Sequence, residues 1–376
     1  MCGIIGMISQ QPFSVKDKLL RALKRLEYRG YDSVGFATRE GVVDKDVGYI
    51  TEFMNKVNPQ IKTTLAISHT RWATHGGTTK NNAHPHTNAG KTLFVVHNGI
   101  IENFKEIRAF LEEKNYHFQT ETDTEVIVHY IDYHLKKGLK MIDIMKKLNE
   151  QLEGTFAILC FEKEKDTLYA LKRDSPLALG ICDEKYVLAS DIYAFSDETD
   201  QAIFFEDGEF AVITAKRYQF YNKEGKQITK TPQSFSWTRE EQTLEDFPHF
   251  MIKEIKEQPE AAKRLINSFT TTQKETFEKA LAHIKAAKHI IFIASGSSYH
   301  AALIGVILLN KLGYNARAII ASEVETFVQF NKDTLCIAVS QSGETMDVVS
   351  PLKKAKAEGA KIISVVNVAY STIQRL

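Results

Sequence analysis

The sequence predicts two domains of different class: an α+β layered sandwich of sheets covered by helices over residues 2–230, then an α/β domain on a parallel sheet over 251–376, with a linker at 231–250. Three observations carry this expectation. The length of 376 residues exceeds the size, about 250–300 residues, at which a single core stops growing. The first part of the chain holds many short β-rich runs, as antiparallel sheets require, whereas later apolar runs alternate with helical patterns, as βαβ units require. Between the two lies TPQSFSWTREEQTLEDFPHF, mixed in Pro, Ser, Trp and charge, where the periodicity changes.

In the first domain the strand-like runs are CGIIGMI, SVGFATRE, TLAISHTR, TLFVVHN, GTFAILCFE, YVLASD, AIFFE and EFAVITA. Two helical patterns interrupt them. VKDKLLRALKRLEY places Val15, Leu19, Leu23 and Leu26 on one stripe, and TDTEVIVHYIDYHLKK follows a capping-type Thr-Asp start. In the second domain the order is helix TQKETFEKALAHIKAA, strand HIIFIA, loop SGSS, helix YHAALIGVILLNKLG, strand ARAIIA, a short helix, strand TLCIAV, loop SQSGET, helix MDVVSPLKKAKAEG and strand KIISVVNV. Apolar strands separated by helices imply right-handed crossovers on a parallel sheet.

Composition narrows the function. With 43% hydrophobic residues, 25% charged and a net charge of +1, the chain is not built to hold nucleic acid or an anionic membrane, so any anionic ligand must be bound locally. No apolar run approaches the roughly 20 residues that span a bilayer, and the start lacks a signal-peptide pattern, so a cytoplasmic location is expected. The cysteines Cys2, Cys160, Cys182 and Cys336 are scattered without a C-x-x-C pair, which suggests neither a disulfide framework nor a zinc site. His69, His75, His84, His86 and His97 match no tight ligand spacing; no metal and no cofactor are expected, and the histidines are assigned structural roles.

Cys2 is the first candidate for chemistry. If Met1 is removed, one residue carries both a thiol and a free α-amine, whose reference pKa near about 8 suits it to deprotonate a thiol near about 8.5. The bland alternative is a small buried residue. Further stretches stand beside it: LEYRGYDS (26–33), HTRWATHG (69–76), HNGIIEN (97–103) and ETDTE (121–125). Together these resemble the glutamine amidotransferases of the N-terminal-nucleophile (Ntn) hydrolase family, which implies an αββα sandwich and a glutaminase.

Glutamine presents a carboxylate, an ammonium and an amide. The resemblance gives Arg71 the carboxylate, as a two-pronged donor, and Asp123 the ammonium. It gives Asn98, through its side-chain amide, and Gly99, through its backbone N–H, the oxyanion formed when Cys2 attacks. Trp72 takes the place of a gate that keeps released ammonia from bulk water, and Thr74 and His75 line the glutamine pocket or the loop over it. Taken singly, each has a plainer reading: Asn-Gly as a hairpin turn, Asp123 as a helix cap, Trp72 as a core residue.

In the second domain, SGSS (295–298) and SQSGET (340–345) each lie where a strand hands over to a helix, so hydroxyls and N–H groups converge on a positive helix end and can hold a phosphate without Lys or Arg. Neither a Walker A loop nor a dinucleotide fingerprint is present. The pattern resembles the sugar isomerase (SIS) domain, which implies a sugar-phosphate site at Ser297, Ser298, Ser340, Gln341, Ser342 and Thr345; polar helix caps are the alternative. An amidotransferase joined to a SIS domain resembles the family that moves glutamine nitrogen to fructose 6-phosphate, giving glucosamine 6-phosphate and glutamate, with L-glutamine and fructose 6-phosphate as partners and a homodimer for the full-length enzyme. Members of that family run on beyond residue 376, completing the SIS domain and adding a second one. The chain is therefore expected to hold a complete glutaminase half and an incomplete synthase half, and the family's residues for opening and isomerising the sugar are assigned to no position here. The alternatives are another SIS-containing amidotransferase or deglycase, and a sugar-phosphate sensor; an amidotransferase acting on phosphoribosyl pyrophosphate or aspartate would need loops that are missing.

Overall fold

Side chains alternate between the two faces of a strand, and this alternation builds the first unit. The computed structural model describes residues 2–73, 75–235, 246–247 and 250–376, and the chain divides into the units Met1–Thr238 and Arg239–Leu376. Among the described residues, unit 1 holds two antiparallel sheets. One runs in the order Gln233–Ser234, Gln201–Phe204, Ala178–Ile181, Lys185–Ala189, Gly3–Ser14, Lys62–Arg71, Ser33–Thr38, Val43–Val47. The other runs Gln227–Ile228, Tyr218–Tyr221, Phe210–Ile213, Leu168–Arg173, Gly154–Glu162, Leu93–Ile101, His86–Thr87.

Ile4, Ile8, Leu65, Ile67 and Leu188 of the first sheet meet Phe94, Val96, Leu159, Phe161 and Ala170 of the second in one core. The intervening Leu93, Val95, Phe156, Ile158 and Cys160 point the other way, into a second core shared with helices Phe104–Glu112, Glu125–Lys136 and Met141–Gln151. On the outside of the first sheet, residues 15–24 pack as a short π-helical stretch followed by one α turn. Val15, Leu19, Leu23 and Leu26 are all fully buried, as their spacing predicts. The layers are thus helix, sheet, sheet, helix.

The expected Thr-Asp cap is corrected. The helix begins at Glu125 behind Thr124, whose side chain does not cap it; Asp123 instead accepts the Ile101 N–H at 2.8 Å, and Thr124 Oγ1 bonds His97 Nδ1 at 3.0 Å. Both side chains are drawn to strand Leu93–Ile101, Asp123 to its last residue and Thr124 to its middle. Glu125 is tied down next to them. Burial alone would raise its carboxyl, but hydrogen bonds from His129, from the Gln119 and Thr120 N–H groups and from the Thr120 hydroxyl hold it at about 2, below its ordinary 4.5. A depressed carboxylate contributes stability that is complete above its unfolded value and is lost as pH falls through its folded one. Acid unfolding is expected to steepen between pH 4.5 and 2, and Glu125→Gln to flatten that limb in a pH series of unfolding midpoints; an unaltered limb would refute the assignment.

Unit 2 carries a parallel sheet in the order Ala316–Ile320, His289–Ala294, Thr334–Ser340, Lys361–Val366, with helices Gly296–Lys311 and Met346–Ala357 as crossovers. Two readings are corrected here. The helix after the first strand starts at Gly296 rather than after SGSS, because a φ of +57° at Gly296 turns the chain straight from strand to helix. A helix Phe250–Ser268, with Pro259 inside it, precedes Lys274–Ala286. Ile304, Ile307, Leu308, Leu312, Phe327 and Val365 of this unit are exposed apolar residues. The expected linker 231–250 falls largely outside the described residues.

Candidate active site

Strand Gly3–Ser14 pairs with Lys62–Arg71, Gly3 opposite Thr70, which brings Cys2 to the end where Arg71 and Trp72 leave the sheet. Cys2 is half-buried. Its Sγ accepts the Trp72 N–H at 3.2 Å and donates to the Trp72 carbonyl at 3.6 Å. From the second sheet, Asn98 Nδ2 donates to the Cys2 carbonyl at 2.9 Å. One end of both sheets therefore converges on this residue. Burial pushes the Cys2 thiol above its ordinary value, against the Trp72 hydrogen bond, the chain's amino terminus, Arg71 and Arg29, which pull it down. A thiol in that state needs a base before it can attack.

Asn98 and Gly99 lie inside strand Leu93–Ile101, opposite Ala157 and Phe156, so this Asn-Gly is not a hairpin turn. Gly99 has φ +124°, and a Cβ there would stand 2.0 Å from the Thr155 carbonyl; the glycine is required. One amide proton of Asn98 is taken by Cys2, and a carboxamide nitrogen carries two.

Arg71 is buried and its charge acts on both Cys2 and Asp123. Its guanidinium donates to the carbonyls of Gly77 at 3.1 Å and Gly76 at 3.2 Å, and to that of His75. Burial lowers its pKa. Asp123 is buried. His75 is half-buried with its ring edge-on to Phe104. Trp72 is 45% exposed, hence no core residue, and meets Tyr31 edge-on at 5.7 Å while Tyr31 stacks on Tyr49 at 5.4 Å. Thr74 lies outside the described residues.

The stretch LEYRGYDS supplies groups to which the sequence alone gave no role. Asp32 accepts the Ala73 N–H at 2.8 Å, fixing the chain just past Trp72. Arg29, buried, lies 3.6 Å from Asp191 and adds positive charge near the thiol. Behind the site, His69, His84 and His97 are buried, with the His69 and His84 rings 4.1 Å apart. Desolvation lowers His69 to about 3 and drives His84 and His97 down as well, so the cluster is neutral. Among the described residues no group of His, Cys, Asp or Glu could hold a metal.

In unit 2 the strands that lead into 295–298 and 340–345 are the two central strands of the sheet, Ala294 opposite Val339, so both motifs emerge side by side at the strands' C-terminal ends. Ser340 Oγ lies 3.3 Å from Thr345 Oγ1 and accepts the Gly343 N–H at 3.1 Å; Ser342 accepts from Glu344 at 3.2 Å. Ser297 and Gln341 are exposed, Ser298 and Ser342 half-buried. Ser295 and Thr345 stand at the helix starts, yet neither side chain caps its helix. That arrangement leaves the first-turn N–H groups of 296–298 without a side-chain cap, as an anion cradle would.

Comparison with known proteins fits this geometry. The family described as "Glutamine amidotransferase domain" matches residues 69–197, and "SIS domain" matches 283–376. The chain joins a glutamine amidotransferase domain to a SIS domain. It is homologous over its whole length to proteins named glutamine–fructose-6-phosphate aminotransferase [isomerizing]: 41% identical to that of Sulfurisphaera tokodaii and 37% to that of Sulfolobus acidocaldarius, covering 64% of each. That of Thermococcus kodakarensis is 39% identical, with 63% of it covered. The chain thus spans a little under two thirds of the relatives' length. Among solved structures, a glutamine phosphoribosylpyrophosphate amidotransferase from B. subtilis superposes with a TM-score of 0.52 at 20% identity, covering 97% of this chain and 81% of that one. At that identity the likeness is one of fold: layered antiparallel sheets followed by a parallel-sheet domain.

Proposed function

We propose that this chain is the glutaminase and first sugar-phosphate portion of an aminotransferase that makes glucosamine 6-phosphate from glutamine and fructose 6-phosphate. The observation that carries the reading is the Cys2 thiol, held by the Trp72 backbone beside Arg71 and joined to Asn98 through its own carbonyl. Residues 2–230 act as the glutaminase, 251–376 as the sugar-phosphate domain. With Met1 removed, the α-amine of Cys2 takes the thiol proton, and the sulfur attacks the γ-amide carbon of glutamine. Asn98 and the Gly99 N–H hold the oxyanion. Collapse of the intermediate expels ammonia, protonated in leaving by the α-ammonium, and leaves a γ-glutamyl thioester that water cleaves to glutamate. Arg71 and Asp123 grip the substrate's carboxylate and ammonium, and Trp72, Thr74 and His75 surround them. In unit 2, Ser297, Ser298, Ser340, Gln341, Ser342 and Thr345 hold the phosphate of fructose 6-phosphate. The setting is cytoplasmic, where Cys2 stays reduced.

The test is incubation with glutamine, with and without fructose 6-phosphate, assaying glutamate and aminosugar separately. Glutamate release is expected, and its absence in a chain with Met1 removed, checked by mass, would overturn the reading. Arg71→Ala and Asp123→Ala are each expected to raise KM for glutamine about 10- to 100-fold, the worth of one charged hydrogen-bonding partner. An unchanged KM in steady-state assays would remove that residue from the site.

A further inference from the structure

We infer that Glu121 and Asn82 are positioning residues for Arg71, and that through it they set the site's preference for a substrate with a free α-carboxylate. This rests on the glutaminase reading above. Arg71 donates to three consecutive carbonyls, those of His75, Gly76 and Gly77, so the position of this short segment decides where the guanidinium plane lies. The segment is in turn fixed from one side. Glu121 Oε2 accepts the Gly77 N–H at 3.2 Å, and Asn82 Nδ2 donates to the Gly77 carbonyl at 3.0 Å, the same oxygen that Arg71 uses. Asn82 and Glu121 lock each other: Asn82 Nδ2 reaches Glu121 Oε2 at 3.1 Å, and the Glu121 N–H reaches Asn82 Oδ1 at 3.1 Å.

Asn82 is buried, and its loop is anchored to strand Val43–Val47 by Lys45, whose ammonium donates to the carbonyls of Asn81, Ala83 and Pro85 at 3.0, 2.6 and 3.3 Å. Glu121 itself precedes Asp123 by two residues. One turn of chain therefore presents the carboxylate proposed for the substrate's ammonium and also fixes the cation proposed for its carboxylate. The spacing of the two charges, which a zwitterionic α-amino acid must match, is set by this turn. Rigid placement of a forked donor is what gives bidentate recognition its selectivity. The Asn82 and Gly77 hydrogen bonds also keep the Glu121 carboxyl below its ordinary value.

The test compares L-glutamine with L-glutaminamide, in which a neutral amide replaces the α-carboxylate. In Glu121→Ala, KM for glutamine is expected to rise about 10-fold with kcat within about twofold, while KM for glutaminamide stays put. Glu121→Gln, whose amide oxygen can still accept from Gly77 and Asn82, is expected to restore the glutamine KM to within about twofold; Asn82→Ala is expected to repeat the split. An unchanged rate of Cys2 alkylation by iodoacetamide shows that the variants are folded around the thiol. Equal increases in KM for both substrates, or none in Glu121→Ala, overturn the inference. Failure of the underlying reading looks different: the unmodified chain would release no glutamate.

Discussion

Cys2→Ala is expected to lower glutamate release from glutamine by at least about 10⁴-fold while leaving the unfolding midpoint within about 1 °C. The nucleophile is one of a set acting as a unit, and removing such a member costs most of the covalent route. The stability expectation follows from the site. Cys2 is half-buried, and among the described residues its sulfur's hydrogen bonds are the two with the Trp72 backbone described above, so truncation removes a single atom and breaks no side-chain network. The other three thiols offer no substitute. Cys160 and Cys336 are buried, and desolvation raises Cys336 to about 12 and Cys182 to about 11. Undiminished hydrolysis by the variant would dispose of the nucleophile assignment.

Gly99→Ala is expected to cost at least about 3 kcal/mol of stability as well as activity. Strain from a non-glycine residue at positive φ accounts for about 1–2 kcal/mol. The rest comes from overlap, since the new Cβ would sit 2.0 Å from the Thr155 carbonyl and 3.0 Å from Phe156 Cα, backbone atoms of the paired strand that cannot swing aside. Gly138 is the control. It has φ +81°, and a methyl group added there would meet nothing within 4 Å, so Gly138→Ala is expected to lose only the strain, about 1 kcal/mol. Equal losses in the two variants, measured by denaturant titration, would show that close packing at residue 99 is not the constraint.

Much of the fold was legible because alternation is a local property. Runs such as TLFVVHN and GTFAILCFE carry large apolar residues on both faces, and both faces are used, one against the other sheet and one against helices. Weaker runs went unread: VDKDV pairs at a sheet edge with half-buried charges, and LYALKR ends in Lys and Arg. The start of helix Gly296–Lys311 was misplaced because glycine and serine read as loop, whereas a positive φ at Gly296 starts the helix there. At the site, residue types named the chemistry but not the partners. That Asp123 would serve the Ile101 N–H rather than a helix start, or that Arg71 would rest on three carbonyls, depends on contacts that residue types alone do not specify. Asn82 carried no signal of its own, and Glu121 none beyond its place in the quoted motif. The Glu in ETDTE was visible, but its partner on another loop was not.

The central claim is that Cys2 alone attacks the amide of a glutamine held by its zwitterionic end. It is tested most directly by treating the chain with a glutamine analogue whose amide is replaced by an electrophilic ketone and mapping the adduct by peptide mass spectrometry. The account predicts one equivalent, on the peptide beginning at Cys2, with labelling slowed by excess glutamine and slowed about 10- to 100-fold in Arg71→Ala. Label on Cys160, Cys182 or Cys336, or labelling of Cys2 that glutamine does not slow, would contradict it.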